Sequence, residues 1–255
     1  MTETQIWQLA VIFTIVAMFY SAVGHAGASG YLAAMAIVSV APEVMRPVAL
    51  TLNIVIATFA TWRFSDAKFF NPKILSLLLV GSVPLAFIGG GITLPTPIYK
   101  MLVGGVLLFS ATYMVWRTWW LKSDFIDESR LTFPLPAAPF IGAAIGLLSG
   151  LTGTGGGIFL SPIILILLWA GPKTTAGIAA PFILFNSIAG LLGGLYRGVF
   201  SLAMIPNAVL PLCAAALVGA ALGTWLGIYK LSNKLLIATL AFVMLVASFK
   251  LLGLT

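Results

Sequence analysis

The sequence predicts an all-α integral membrane protein of two homologous repeats. Each repeat is a glycine-broken pair of half-helices followed by three transmembrane helices, giving 8–10 membrane segments in total. Three observations carry this. The 255 residues are 61% hydrophobic and only 7% charged, with a mean hydropathy of +1.13. A soluble monomer of that composition would expose more apolar surface than it tolerates. Ten apolar segments fall into two sets of five, and several reach the roughly 20 residues that cross a hydrocarbon core. Finally, two glycine-rich breaks interrupt the apolar sequence about half a chain apart: Gly24-His25-Ala26-Gly27-Ala28-Ser29-Gly30 and Thr152-Gly153-Thr154-Gly155-Gly156-Gly157.

In chain order the first set is Ile6–Val23, Tyr31–Ala41, Val48–Trp62, Ile74–Leu94 and Ile98–Trp116. The second is Leu135–Leu151, Ile158–Ala170, Thr175–Tyr196, Leu202–Ile228 and Leu235–Leu252. Between them lies the only long polar stretch, Arg117 to Arg130, with Lys122, Asp124, Asp127 and Glu128. The expected division is a first repeat over 1–120, a cytoplasmic linker over 121–134 and a second repeat over 135–255. Ser21–Leu32 aligns with Ser149–Leu160 at an offset of 128, which superposes the two breaks. Near Pro42 and Pro172 the offset is 130, and near Lys100 and Lys234 it is 134, a drift that small loop insertions explain. Duplicated halves with interrupted hydrophobic segments at matching places mark secondary transporters.

The segments beside the breaks, Tyr31–Ala41 and Ile158–Ala170, have 11 and 13 residues. As helices they span only about 16–20 Å, too little to cross about 30 Å of hydrocarbon. They read as half-helices, in re-entrant hairpins or in broken transmembrane helices. Charge placement weighs the topologies. If each half crosses an odd number of times, one side carries Arg63, Lys68, Lys73, Arg117, Lys122, Arg130, Lys173, Lys230 and Lys234. The other carries Arg46, Lys100, Arg197 and Lys250, a split of 9 against 4; an even count gives 8 against 5. The positive-inside rule prefers the odd count. The repeats are then inverted, with both termini outside and the linker cytoplasmic, while a four-plus-four count stays open.

Composition also excludes function classes. The net charge of +7 is spread thinly through the loops, which sets membrane orientation and argues against a nucleic-acid partner. The start, Met1-Thr2-Glu3-Thr4-Gln5, lacks the basic region of a signal peptide, so insertion is expected to rely on the first apolar segment. One histidine and one cysteine, His25 and Cys213, cannot assemble a metal ligand set. No cofactor and no catalytic residue is expected, and Cys213 reads as filling in an alanine-rich segment. Every Asp, Glu, Lys and Arg falls outside or at the edges of the apolar segments, unlike pumps whose intramembrane carboxylates mark the pathway.

The interior therefore offers neutral donors. A glycine run that opens a short helix exposes backbone N–H groups and the positive end of the helix dipole. Gly155, Gly156 and Gly157 precede Ile158 in this way, and Gly27 to Gly30 precede Tyr31. Inverted copies would aim both helix ends at one midplane point. The candidate substrate-binding residues are Gly24, His25, Gly27, Ser29, Tyr31 and Asn53 from the first half. From the second half they are Thr152, Gly153, Thr154, Gly155, Gly156, Gly157 and Asn186. Glycine also serves close helix packing, and Gly89-Gly90-Gly91 and Gly193-Gly194 read that way. His25 is the one interior group whose ordinary pKa, about 6.5, lies near neutrality. It either serves the anion or a proton, or is a neutral ring bonded to a loop carbonyl. Asn53 and Asn186 line the pathway or glue helices together, and Arg63 and Arg197 anchor segment ends. Trp116, Trp119 and Trp120 form an interfacial belt.

Gly153-Thr154-Gly155-Gly156-Gly157, the following apolar run, Pro172, and the helix ending in Leu195-Tyr196-Arg197-Gly198 resemble the TauE/SafE family of sulfite and organosulfonate exporters. The stretch from Gly24 through Tyr31 and Pro42-Glu43 to Leu52-Asn53 looks like a variant of that family's first repeat, so the resemblance covers nearly the whole chain. It implies a multi-pass carrier of the inner membrane, usually counted as four plus four spans. Its expected cargo is a small sulfur-containing anion such as sulfite, sulfoacetate or a related sulfonate, moved mostly outward. The expected partners are that anion and the lipid bilayer, with a homodimer left open. An importer or channel-like facilitator of another anion is the alternative, and an intramembrane sulfur-transfer enzyme a more distant one. Where the first break has His25, Ala26 and Ala28 instead of a plain glycine run, the two half-sites are chemically unequal.

Overall fold

The computed structural model describes residues 2–92, isolated positions from 101 to 116, and residues 136–252. Among them the chain is helical throughout, with no strand. The elements are α1 (Glu3–Ala22), α2 (Ala28–Ile37), α3 (Pro42–Asp66), α4 (Pro72–Gly90), α5 (Ala138–Thr152), α6 (Gly157–Ile166), α7 (Pro172–Tyr196), α8 (Val209–Trp225) and α9 (Asn233–Leu252). A 3₁₀ turn, Leu202–Met204, precedes α8, and a π-turn, Leu226–Lys230, follows it. The linker 121–134, Lys100, Arg117, Trp119, Trp120 and much of Ile98–Trp116 lie outside the described residues.

Local chemistry sets the helix starts. Thr2 and Gln5 form a reciprocal capping box on α1, with the Thr2 N–H donating to Gln5 Oε1 at 2.8 Å. The Asn71 side chain accepts the Ile74 N–H at 3.2 Å to cap α4. Proline in the first turn opens α3, α4 and α7, where its missing N–H has no helical partner to lose. Among the described residues five helices are long and apolar enough to span a membrane: α1, α3, α4, α7 and α8 extended through the π-turn.

The short helices fold back as hairpins. Gln5 Nε2 at the start of α1 donates to Val38 O at the end of α2 at 2.8 Å. Phe13 packs on Tyr31 with ring centroids 4.6 Å apart, and near the tip Tyr20 and Ser29 hydroxyls meet at 2.7 Å. α2 thus returns along α1 to the end where α1 began. In the second pair the tip glycine Gly156 lies against Ile145 and Ser149 of α5.

α3 and α7 run antiparallel at the centre. Arg46 near the start of α3 meets Phe200 beyond the end of α7, Asn53 meets Ser187, and Phe69 beyond the end of α3 meets Gly177. Around this pair, α4 packs along α5 and α1 along α8, each pair running parallel. Glycine permits both approaches. A Cβ on Gly142, Gly146 or Gly150 would lie 2.1, 2.1 or 2.2 Å from the carbonyl oxygens of Leu78, Ser82 or Ala86. One on Gly219, Gly223 or Gly227 would lie 2.0, 2.2 or 2.0 Å from those of Thr14, Met18 or Ala22. Small residues at every fourth position let backbones touch where lipid supplies no hydrophobic drive. Gly90 against Gly190 and Gly193 against Phe87 are packing sites of the same kind.

Gly146→Leu and Gly223→Leu are each expected to lose about 3 kcal/mol or more through overpacking against immovable backbone. Gly105→Leu, whose Cβ meets nothing within 4 Å, should behave as wild type. Thermal midpoints and monodispersity in detergent measure the difference, and equal midpoints for all three variants would refute the packing argument.

Left-handed backbone recurs along the chain. Gly24 and Gly153 (φ 74° and 71°), Gly27 and Gly156 (102° and 82°) and Ser39 and Leu168 (56° and 57°) are each separated by 129 residues, and Lys68 and Gly198 (63° and 70°) by 130. Among the described residues only Gly155, φ 78°, has no counterpart; Ala26 stands at the matching position.

Most boundaries shift by a few residues from the sequence reading, and three helix starts bear on the site or its surroundings. α2 begins at Ala28 rather than Tyr31, so Ser29 and Gly30 belong to its first turn and Gly27 is its N-cap. α3 begins at Pro42 rather than Val48, which takes Arg46 inside the helix. α8 begins at Val209 rather than Leu202, because Pro206 cannot continue a helical ladder through the preceding turn.

Candidate functional site

Both breaks are buried, except for half-buried Ser29 and Gly30 at the end of the first, and they meet. His25, at the tip of the first hairpin, places Nε2 2.7 Å from Ser161 Oγ on α6. Its ring lies against Gly157, where an added Cβ would come within 3.2 Å of His25 Cδ2 and 2.3 Å of Ile183 Cδ1. Ile183 is close to the midpoint of α7. The tip of the first hairpin and the start of α6 are therefore joined halfway along the central helix. The imidazole thus has the Ser161 hydroxyl of α6 as a partner, and it also bonds the Gly157 backbone, in keeping with the loop-carbonyl expectation.

The second break is organised by α3 and α7. Gly155 sits so close to them that a Cβ would lie 2.6 Å from Ile183 Cγ2, 2.7 Å from Asn53 Nδ2 and 2.8 Å from Ser187 Oγ. Asn53 Nδ2 donates to Ser187 Oγ at 3.2 Å, tying α3 to α7 at the level of the glycines. Gly156 faces Phe182. The Phe159 and Leu160 N–H groups both donate to Gly156 O, so the N–H groups of Gly157 and Ile158 are the ones the helical ladder does not use. Those two donors stand at the positive end of the α6 dipole.

The remaining candidates divide. Thr152 and Thr154 pair with each other, hydroxyls 2.7 Å apart, with the Thr154 N–H on Thr152 Oγ1 at 3.3 Å; this closes the turn around Gly153. Asn186 lies on the same face of α7 as Ile183 and donates from Nδ2 to Phe182 O at 2.8 Å. Tyr31 and Ser29 do not join the centre. Tyr31 is held in the apolar cluster with Phe13, beside Gly27, and Ser29 is bonded to Tyr20. Gly24 lies against the Ala176 backbone in the second turn of α7.

Sequence reasoning missed three residues. Ser161 and Ser187 supply the hydroxyls that bridge the halves, and Arg46 corrects the charge census. Its guanidinium donates to the carbonyls of Gly89, Gly90, Ile92 and Gly150, covers the Phe200 ring at 5.0 Å, and its side chain packs against Gly153. Carbonyls at the ends of α4 and α5 lack helical partners, and a cation there opposes the negative ends of both dipoles. At the other end of the bundle Lys173, in the first turn of α7, donates to Ile228 O at 2.8 Å and lies 5.4 Å from the Phe69 ring. A small cleft of about 10 Å³, lined in part by Val23, Ser161, Thr175 and Leu240, lies toward that end beside the Ser161 hydroxyl.

The family model described as "Sulfite exporter TauE/SafE" matches residues 9–251. A curated relative from Sinorhizobium fredii, named "Probable membrane transporter protein y4hK", is 35% identical over 250 residues, covering 98% of this chain and 99% of the relative. No solved structure matches the chain. With five spanning-length apolar helices among its described residues, this is a multi-pass membrane protein, and it belongs to the TauE/SafE sulfite exporter family of membrane transporters, not to an enzyme class.

Proposed function

We propose that this chain exports small sulfur-containing anions (sulfite or an organosulfonate) across the inner membrane by alternating access. The binding site is the meeting point of the two hairpin tips. The observation that carries the proposal is the central contact of His25 with Gly157 and Ser161, flanked by Asn53, Gly155 and Ser187. Irregular backbone at membrane depth is tolerated where it lines a substrate cavity, and paired broken segments at the repeat interface form such cavities in carriers. The constant spacing of left-handed residues and the antiparallel course of α3 and α7 support inverted repeats over 1–120 and 135–255. Arg63, Lys68, Lys73, Lys173, Lys230 and Lys234 gather at the end where α3 finishes and α7 starts, against Arg46 and Arg197 at the other. That asymmetry supports a cytoplasmic linker and external termini. A membrane potential negative inside then drives an anion outward, at about 2.3 kcal/mol per charge per 100 mV.

Flux in proteoliposomes tests the proposal. Sulfite, sulfoacetate, taurine and thiosulfate are compared under an imposed potential or pH gradient. Saturable, potential-driven anion movement is the expected result. Non-saturable flux would mean a channel-like facilitator, and absence of flux for every sulfur anion would overturn the proposal. His25→Gln is expected to change the rate or its pH dependence; if neither moves, the ring carries no proton.

A further inference from the structure

We propose that the site takes a singly charged oxyanion that brings its own hydrogen-bond donor, such as hydrogen sulfite or a hydroxysulfonate, in preference to dianions and to anions that only accept. The inference rests on the reading of the hairpin tips as a binding site for sulfur oxyanions and narrows the ionic form of the cargo. It starts from what the centre lacks and what it leaves unpaired. Among the described residues thirteen polar side chains are buried, and none is Asp, Glu, Lys or Arg. Arg46, the cation beside the second break, is turned onto backbone carbonyls at the ends of α4 and α5. A ligand in the centre is therefore met by neutral dipoles, and the cost of desolvating an ion rises with the square of its charge.

The amides then select further. Asn53 and Asn186 are fully buried, and the Oδ1 of each has no hydrogen-bond partner. The orientation of Asn186 is fixed by chemistry. Its Nδ2 faces the Phe182 carbonyl, which can only accept, so the unpaired pole is the acceptor. Asn53 has its amide nitrogen against Gly155 and Ser187, at the tip of the second hairpin. A buried acceptor without a donor is costly. Sulfate, thiosulfate or fully deprotonated sulfite brings only acceptors and leaves that deficit in place. A ligand carrying an O–H fills it, while its oxyanion takes the donors, namely the Gly157 and Ile158 N–H groups and the Ser187 hydroxyl. Sites that hydrogen-bond a ligand hydroxyl reject the analogue lacking it far more strongly than apolar pockets reject a size change.

Three organosulfonates of similar size separate the elements of the proposal in proteoliposomes of the wild-type protein. Isethionate has one charge and a hydroxyl, ethanesulfonate has one charge and no donor, and sulfoacetate has a second charge. The expected order is isethionate first, by about tenfold or more in kcat/KM over each of the others. Asn53→Ala is expected to reduce the isethionate advantage over ethanesulfonate to near unity while sulfoacetate stays poor. Equal or faster transport of sulfoacetate or ethanesulfonate by the wild-type protein would overturn the inference and leave the transport assignment standing. Failure of all three together with sulfite would overturn both. The wild-type comparison decides the matter even if the variant does not fold.

Discussion

Gly155→Ala is expected to abolish most sulfur-anion flux while the protein still inserts and purifies as a folded species. Its φ of 78° puts it in the left-handed region, where a Cβ costs about 1–2 kcal/mol. The larger effect is spatial. The new methyl would sit 2.6–2.8 Å from Ile183 Cγ2, Asn53 Nδ2 and Ser187 Oγ, the groups that bind α3 to α7 at the centre. These neighbours are flexible side chains, so they shift and the fold survives, but the Asn53–Ser187 bond and the approach of the glycine tip do not. Displacing groups at a site by about 1 Å costs on the order of a hundredfold in rate. Gly198→Ala supplies the control, because its φ of 70° carries the same backbone strain with nothing within 4 Å of the added carbon. Flux per folded transporter is the measurement. Comparable flux from the two variants would show that backbone strain, not the crowding at Asn53, is what matters.

The position of Gly155 also explains the inequality of the two glycine breaks. Four pairs of left-handed residues recur at a spacing of 129 or 130, and Gly155 alone breaks the series, opposite Ala26. The second tip has one more left-handed residue and reaches Asn53 and Ser187 on the central helices. The first tip has His25 instead, and reaches across to Ser161. One half brings backbone close to the centre, and the other brings a titratable ring.

Much of the fold is legible in the sequence. Glycine runs between apolar segments identify the hairpin tips because few other residues allow that backbone, and the 11- and 13-residue segments beside them are too short to cross alone. What was not legible depends on pairing across the fold. The His25–Ser161 and Asn53–Ser187 bonds join residues 136 and 134 apart in sequence. A serine in an apolar helix is ordinarily bonded to its own preceding turn, so neither Ser161 nor Ser187 stands out. Arg46 escaped for another reason. A hydropathy reading begins its segment at Val48, whereas Pro42 is the residue that starts the helix, and the long side chain then reaches inward to carbonyls of α4 and α5. The Pro42 signal for a helix start was present in the sequence and would have placed Arg46 inside.

Arg46→Ala should therefore produce the largest loss of stability among single charge removals in the described part of the chain. The guanidinium is the common partner of carbonyls from Gly89, Gly90, Ile92 and Gly150, and it packs over Phe200, so its removal frees the ends of α4 and α5 together. Charge-assisted hydrogen bonds contribute about 1.5–3 kcal/mol each, but these share one donor group and do not add, so a loss of about 3 kcal/mol is expected. α5 ends immediately before Gly153, and the loosened end is transmitted to the hairpin tip, so flux should fall as well. Arg46→Lys should recover only part of the loss, since an ammonium keeps the charge but not the planar fork that reaches several carbonyls at once. Lys173→Ala is the matched test at the opposite end, where a single bond to Ile228 O and a ring contact with Phe69 predict a smaller effect. Thermal midpoints in detergent rank the four proteins: wild type, Lys173→Ala, Arg46→Lys, then Arg46→Ala as the least stable. If Arg46→Ala melts with the wild type, the guanidinium is not the clamp on α4 and α5. If Lys173→Ala is the least stable instead, the bundle is held chiefly from its linker end.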